Sequence, residues 1–168
     1  MQERRAVAAL TRFGVLAFAI AIMVVVVDRV TTTLAVDHLH DARHVWGPFG
    51  LALTYNSGFA FSLFSGRGTF ITVLLSVFVV VMVLIAARFR TLPYAVGGGL
   101  VLGGAIGNLS ERIVGPGPGG EVPDFVTLRY WPTFNVADAC VTVGVVIVIA
   151  ALLFGSRPQV GSTVEETA

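Results

Sequence analysis

The sequence predicts an all-α membrane protein: four transmembrane helices carrying a small extracytoplasmic β-sheet subdomain. Three observations lead there. Of 168 residues, 55% are hydrophobic and 12% charged, against roughly 45–50% and about 25% in soluble domains. Four apolar stretches approach or reach the roughly 20 residues that a helix needs to cross a bilayer. Between the first two stretches and between the last two lie segments with turn residues and two-residue alternation, the mark of half-buried strands. A mean hydropathy of +0.85 excludes a disordered chain and a soluble enzyme. A net charge of +1 offers no basic excess to nucleic acid. A single cysteine excludes an internal disulfide framework and a cysteine-built metal site.

The first stretch is uncharged from Phe13 to Val27 and continues past Asp28 and Arg29 to Val36. Arg4 and Arg5 precede it as in a signal peptide, but no small-residue cleavage site follows Val27, so a retained span is expected. The second, Gly68 to Ala87, holds 20 uncharged residues, about 30 Å of helix. The third, Tyr94 to Leu109, is shorter and glycine-rich. Its Gly99, Gly103 and Gly107 stand four apart, a small-residue face expected to pack inside the bundle rather than between protomers. The fourth, Val136 to Phe154, is apolar except for Asp138.

Four spans put both termini on one side. Arg4, Arg5, Arg12, Arg88, Arg90 and Arg157 then share that side, which the positive-inside rule makes the cytoplasm. Arg29, Arg43, Arg67, Arg112 and Arg129 fall outside. Residues 1–155 form one four-span domain with outer segments of about 37–67 and 112–133, and residues 156–168 a disordered cytoplasmic tail. In the first outer segment Phe49, Leu51, Leu53 and Tyr55 alternate with Gly50, Ala52, Thr54 and Asn56, which predicts a strand; Ala60–Phe64 is its expected partner across a turn at Asn56-Ser57-Gly58. The second opens with Gly115-Pro116-Gly117-Pro118-Gly119-Gly120, an irregular loop that cannot be helix, followed by a strand over Phe125–Trp131.

Ionisable groups at membrane depth are costly and mark function by default. Asp28 closes the first span, Asp124 lies just before the fourth and Asp138 opens it, so all three fall near the outer face. Two carboxylates forced together cannot both ionise readily; the pair shares a proton, and can activate water while protonating a carbonyl oxygen. Taken singly, Asp138 reads as a helix N-terminal acid and Asp124 as a turn residue. Asn56, Asn108 and Asn135 read singly as partners for helix ends.

The surrounding boxes change that balance. Tyr55-Asn56-Ser57-Gly58-Phe59-Ala60-Phe61-Ser62 resembles the N-x-G-x-A-F box of the lipoprotein signal peptidases, or signal peptidase II. Gly103-Gly104-Ala105-Ile106-Gly107-Asn108-Leu109-Ser110-Glu111-Arg112 resembles their G-G-A-x-G-N-x-x-D-R box, Val122-Pro123-Asp124-Phe125 their V-x-D-F, and Phe134-Asn135-Val136-Ala137-Asp138 their F-N-x-A-D. Four boxes in the family's order are a specific signal, and the resemblance covers the chain from about Asp28 to Phe154.

The resemblance implies an aspartyl endopeptidase of the bacterial inner membrane that removes signal peptides from diacylglyceryl-modified prolipoproteins, cutting before the lipidated cysteine. It implies the catalytic pair at Asp124 and Asp138, supporting residues at Asn56, Asn108, Arg112 and Asn135, and the first-span acid at Asp28. Prolipoproteins and membrane lipids are the implied partners; no cofactor, metal or nucleic acid is implied, and a monomer is expected. The asparagines offer donors and acceptors to an extended substrate backbone, and Arg112 a fork of donors to a carbonyl or carboxylate.

The chain departs from the family pattern at the end of the first span. There D-Q-x-x-K is replaced by Asp28-Arg29-Val30-Thr31-Thr32, which loses the lysine. Glu111 stands where the family has aspartate, and Pro123 restricts the residue before it. A divergent member follows, the alternative being a catalytically silent paralogue that binds lipoproteins or another membrane partner. A small transporter fits poorly, because the polar residues gather at one face instead of the midplane. His38, His40 and His44, with Asp37 and Asp41, match no zinc spacing and predict a solvated loop. Cys140 has no histidine within its span to activate it, so a small apolar role is expected.

Overall fold

The computed structural model describes residues 2–57 and 68–154, with side chains from Arg12 onward. Its helices are α1 (Gln2–His38), α2 (Gly68–Ala86), α3 (Leu92–Val114) and α4 (Val136–Phe154). All four are long and apolar enough to cross a membrane. Four strands, β1 (Arg43–Trp46), β2 (Phe49–Asn56), β3 (Val122–Leu128) and β4 (Trp131–Phe134), form one antiparallel sheet in the order β1-β2-β3-β4.

Helix α3 is the centre of the bundle although its sequence is the least apolar of the four spans. Its glycines explain both facts. A Cβ at Gly99 would stand 3.0 Å from the Ile20 Cβ, and one at Gly103 2.7 Å from the Val24 Cβ. At Gly107 it would stand 2.8 Å from Asp28 Oδ2. The helices α1 and α3 thus pack in parallel, one rung every four residues, with a glycine from α3 on each of these rungs. One further step of four brings Thr32 level with Glu111, both buried. A second glycine face, Gly97 and Gly104, meets α4 at Gly144, Ala137 and Val141. The four-residue spacing therefore serves packing within the bundle, as its sequence predicts. Large apolar side chains such as Ile22, Val26, Phe70, Leu84, Val146 and Leu152 point outward, where a bilayer would receive them.

The sheet rests on the C-terminal end of α1. Phe125 packs with Ala35 of α1 and with Leu39 just beyond its end, and Leu51, Leu53, Val126 and Val136 close around them. Gly50 sits where β2 is pressed between β1 and β3: a Cβ there would stand 2.7 Å from Thr127 Oγ1 and 3.0 Å from the Arg43 carbonyl oxygen.

The structure changes several expected boundaries. Helix α1 runs ten residues beyond Asp28 to His38, so Asp28 lies within the helix and does not close it. Helix α3 runs on to Val114, which puts Arg112 on its last turn. The strand expected over Phe125–Trp131 is two strands, β3 and β4, with Leu128 opposite Trp131 and Tyr130 at φ 72° in the turn. The Gly-Pro loop turns tightly over Pro118–Gly120, where Gly119 and Gly120 adopt φ 63° and 80°, left-handed values that glycine reaches without steric cost. Strand β2 pairs with β1 and β3. The strand expected at Ala60–Phe64 lies outside the described residues, as does the tail.

Candidate active site

The head of α4 organises the site. Asn135 is its N-cap: its side-chain oxygen accepts from the Asp138 N–H at 2.9 Å, and its main-chain oxygen from the Ala139 N–H at 3.3 Å. The Ala137 N–H donates to Asp28 Oδ1 at 2.9 Å, across from α1. Two N–H groups in the first turn of α4 are thus satisfied by side chains, one from its own N-cap and one from α1, as a buried helix end requires. Asp28 is 1% exposed and Asn135 0% exposed, so both bonds are shielded from water.

The same Asn135 joins the two acids. Its Nδ2 donates to Asp124 Oδ1 at 3.1 Å and to Asn108 Oδ1 at 3.1 Å. Asn108 Nδ2 in turn donates to Asp138 Oδ1 at 2.8 Å. Asn56 Nδ2 donates to the other oxygen of Asp124 at 3.0 Å. Strand pairing sets this last contact: Thr54 lies opposite Asp124 in the β2–β3 register, and Asn56 is its diagonal neighbour. All the residues the sequence singles out on β2, α3, β3 and α4 are therefore brought together, and Asp28 supports them from behind α4.

Asp124 and Asp138 open into one cavity of about 320 Å³. Its polar wall is Asn56, Asn108, Arg112 and the two acids; its apolar wall is Leu74, Leu75 and Phe78 of α2, with Ala105, Val122 and Val141. Burial pushes the Asp124 carboxyl up to about 7, and the neighbouring charge of Asp138 adds to the rise. The Asn56 hydrogen bond and the Arg112 charge work against it. An acid with that value holds or releases a proton near neutral pH, which general acid–base chemistry needs.

Sequence reasoning missed three parts. Thr54 Oγ1 donates to the Asp124 carbonyl oxygen at 3.3 Å and shares a hydrogen bond of 2.9 Å with Thr133, tying β2, β3 and β4 together; the two-residue period places Thr54 on the face of Asn56, a signal that was there to read. Arg29 Nη1 pairs with Glu111 Oε1 at 2.7 Å, and the Glu111 side chain is 0% exposed. The α2 wall carries no polar residue that could announce it. His38 belongs to the last turn of α1, and His44 Nε2 bonds the Gly47 carbonyl oxygen at 2.9 Å on β1. Cys140 is half-buried on α4.

Comparison with known proteins gives one answer. The family model for signal peptidase (SPase) II matches residues 20–154. The lipoprotein signal peptidase of Rhodococcus jostii (strain RHA1) is 38% identical over 150 residues, covering 86% of this chain and 75% of that one. That of Mycobacterium leprae (strain Br4923) is 36% identical over 146 residues, covering 83% and 72%. Two solved structures, each described as a bacterial membrane enzyme obtained by the in meso method, superpose with TM-scores of 0.74 and 0.72 at 29% identity. They cover 82% and 83% of this chain and 87% and 94% of their own. By that match and these relatives, this chain belongs to the signal peptidase II family, a family of proteases.

Proposed function

We propose that this protein removes signal peptides from diacylglyceryl-modified prolipoproteins in the bacterial inner membrane, cutting before the lipidated cysteine. Asp124 and Asp138 are the catalytic pair. The observation that carries this reading is the amide relay Asp124–Asn135–Asn108–Asp138 at the wall of one cavity, with hydrogen bonds of 2.8–3.1 Å throughout. The departures from the family pattern at Thr32, Glu111 and Pro123 leave both acids and all three asparagines in place, which supports a working peptidase over a silent binder.

Two carboxylates holding one proton can divide the work of peptide hydrolysis. The ionised member takes a proton from water as the water oxygen attacks the scissile carbonyl carbon. The protonated member gives its proton to the carbonyl oxygen, so that a neutral tetrahedral diol forms. A proton then returns to the amide nitrogen, the C–N bond breaks, and the products are a carboxylic acid on the signal peptide and a free amine on the lipid-modified cysteine. Asn56, Asn108 and Asn135 hold the acids in place, and Arg112 offers donors to the substrate backbone beside them. Asp28 acts at one remove, by fixing the head of α4.

Both termini face the cytoplasm in this reading, the sheet lies on the outer membrane face, and one protomer forms the whole site. Purified protein should cleave a diacylglyceryl-modified precursor, and its Asp124→Asn variant should not. Cleavage by both, or by neither, would overturn the proposal.

A further inference from the structure

A second cavity, of about 290 Å³, lies on the other side of Asp138. Its walls are Leu128, Trp131 and Phe134 from the β3–β4 hairpin and Ala139, Val141 and Val143 from the outer turns of α4. Asp138 and Val141 line both this cavity and the first, so the two meet at Asp138.

The two cavities differ in what they can bind. The first presents three polar side chains besides the acids, Asn56, Asn108 and Arg112, suited to the N–H and C=O groups of an extended peptide. In the second the polar side chains besides Asp138 are Thr133, Thr142 and the indole N–H of Trp131, and the two threonines are engaged within the protein. Thr133 is bonded to Thr54 at 2.9 Å, and Thr142 donates to the Asp138 carbonyl oxygen at 2.9 Å. A peptide laid there would leave its backbone unsatisfied, at a cost of kilocalories per group; a hydrocarbon would not. The second cavity also stands at the junction of the sheet and α4. Trp131 is 52% exposed and Val143 52% exposed there, so the cavity opens sideways toward lipid, and an aromatic sits where one favours the bilayer interface.

From this geometry we infer that the β4–α4 cavity seats an acyl chain of the lipid-modified substrate, while the first cavity takes the peptide. The inference rests on the proposed function and adds to it a division of the substrate between two sides of Asp138. A scissile bond held at the acid pair then has its peptide arm along α2 and α3 and its lipid arm along α4. Substrates with long chains gain binding from this cavity; substrates with short chains do not reach into it.

The test uses the full chain in lipid nanodiscs. A precursor whose acyl terminus carries a photoreactive diazirine is bound to the Asp124→Asn variant, irradiated, and the labelled residues are mapped. Label is expected at Trp131, Thr142 and Val143. Label concentrated at Leu74 and Phe78 of the first cavity, or spread equally over lipid-facing positions such as Ile22 and Leu152, overturns the inference. In the unaltered active background, Val143→Trp fills the cavity. It should raise KM about tenfold for a palmitoyl substrate, the loss of roughly two buried methylenes, and leave kcat within about twofold. For a butyryl substrate KM should change less than about twofold. Equal effects on the two substrates would also overturn it. If the unaltered protein cleaves no lipidated precursor, the proposed function fails and this inference with it. Cleavage with misplaced label leaves the function standing and removes only the lipid seat.

Discussion

Replacing Asp124 by asparagine should make the folded protein more stable in neutral and alkaline solution while removing its proposed activity. The carboxyl is 1% exposed, and its surroundings raise it from an ordinary 3.8 to about 7. At about 1.36 kcal/mol per pH unit, keeping it ionised in the fold costs about 4 kcal/mol. The sign follows from proton counts. Below about 4 the carboxyl is protonated whether folded or unfolded, and costs nothing. Between about 4 and 7 the folded state holds a proton the unfolded state has lost, so stability falls as pH rises. Above 7 the full cost is present. An asparagine is neutral throughout, but it meets two amide donors, Asn56 Nδ2 and Asn135 Nδ2, with one oxygen. The mismatched donor takes back about 1–3 kcal/mol. The net gain for Asp124→Asn is about 2 kcal/mol at pH 8 and vanishes or reverses near pH 4. The assay is thermal unfolding of the two proteins in one detergent across that range, read as the difference in apparent Tm. A difference that does not change with pH would refute the reasoning, because it would mean that the carboxyl is not held neutral by its site.

Four further outcomes are expected. Asp124→Asn and Asp138→Asn should each lower cleavage on the order of a thousandfold or more, and the double variant hardly further, since groups acting as one unit do not add; the unaltered protein should show a bell-shaped pH profile, and a flat one would argue against a shared proton. Arg112→Ala should lose most activity while still accumulating in the membrane, and Arg112→Lys should be nearly as poor, because lysine lacks the planar fork. Arg29→Gln should destabilise by about 2–3 kcal/mol in thermal unfolding, less than a fully buried pair because Arg29 is 45% exposed while Glu111 is 0% exposed; adding Thr32→Lys, one rung away, should recover most of it. Reporter fusions at Arg90 and at Gly117 should lie on opposite sides of the membrane, and finding both on one side would end the four-span topology.

Hydropathy made the four spans legible because a span is a local property, needing only consecutive apolar residues. The ends of α2 and α4 were legible to within a residue, but those of α3 and the place of Asp28 inside α1 were not. Asp28 looks like a stop because charge interrupts the apolar run, yet α1 continues for ten residues. It can do so because Asp28 finds the Ala137 N–H and Arg29 finds Glu111, partners far away in the chain. Arg112 likewise stays helical beyond the apolar run. Strand β1 escaped notice because Arg43-His44-Val45-Trp46 is exposed along its length and has no buried face to impose alternation. The acids and asparagines were legible through their boxes. Their bonds were not, since the diagonal contact of Asn56 with Asp124 depends on the β2–β3 register, which no local pattern fixes.

The site's central requirement falls on Asn135, and its chemistry explains why that position takes an amide. The residue must donate two hydrogen bonds, to Asp124 and Asn108, and accept one from the Asp138 N–H. Aspartate could cap the helix but has no donor, and it would set a further negative charge against the pair. Serine has one donor, which cannot serve both acceptors. Glutamine has the right groups, but its extra methylene would displace either the cap or the relay at a position that is 0% exposed. Only asparagine has two donors and an acceptor at capping distance. One consequence is mechanical. The bond that caps α4 and the bonds that set the acids apart arise from the same planar group, so the head of the helix cannot shift without moving Asp138 relative to Asp124. Asp28 holds that head from the opposite side through Ala137. The separation of the two carboxylates is therefore set by the packing of α1, α3 and α4, and the glycine rungs that let those helices approach take part in defining the acid pair.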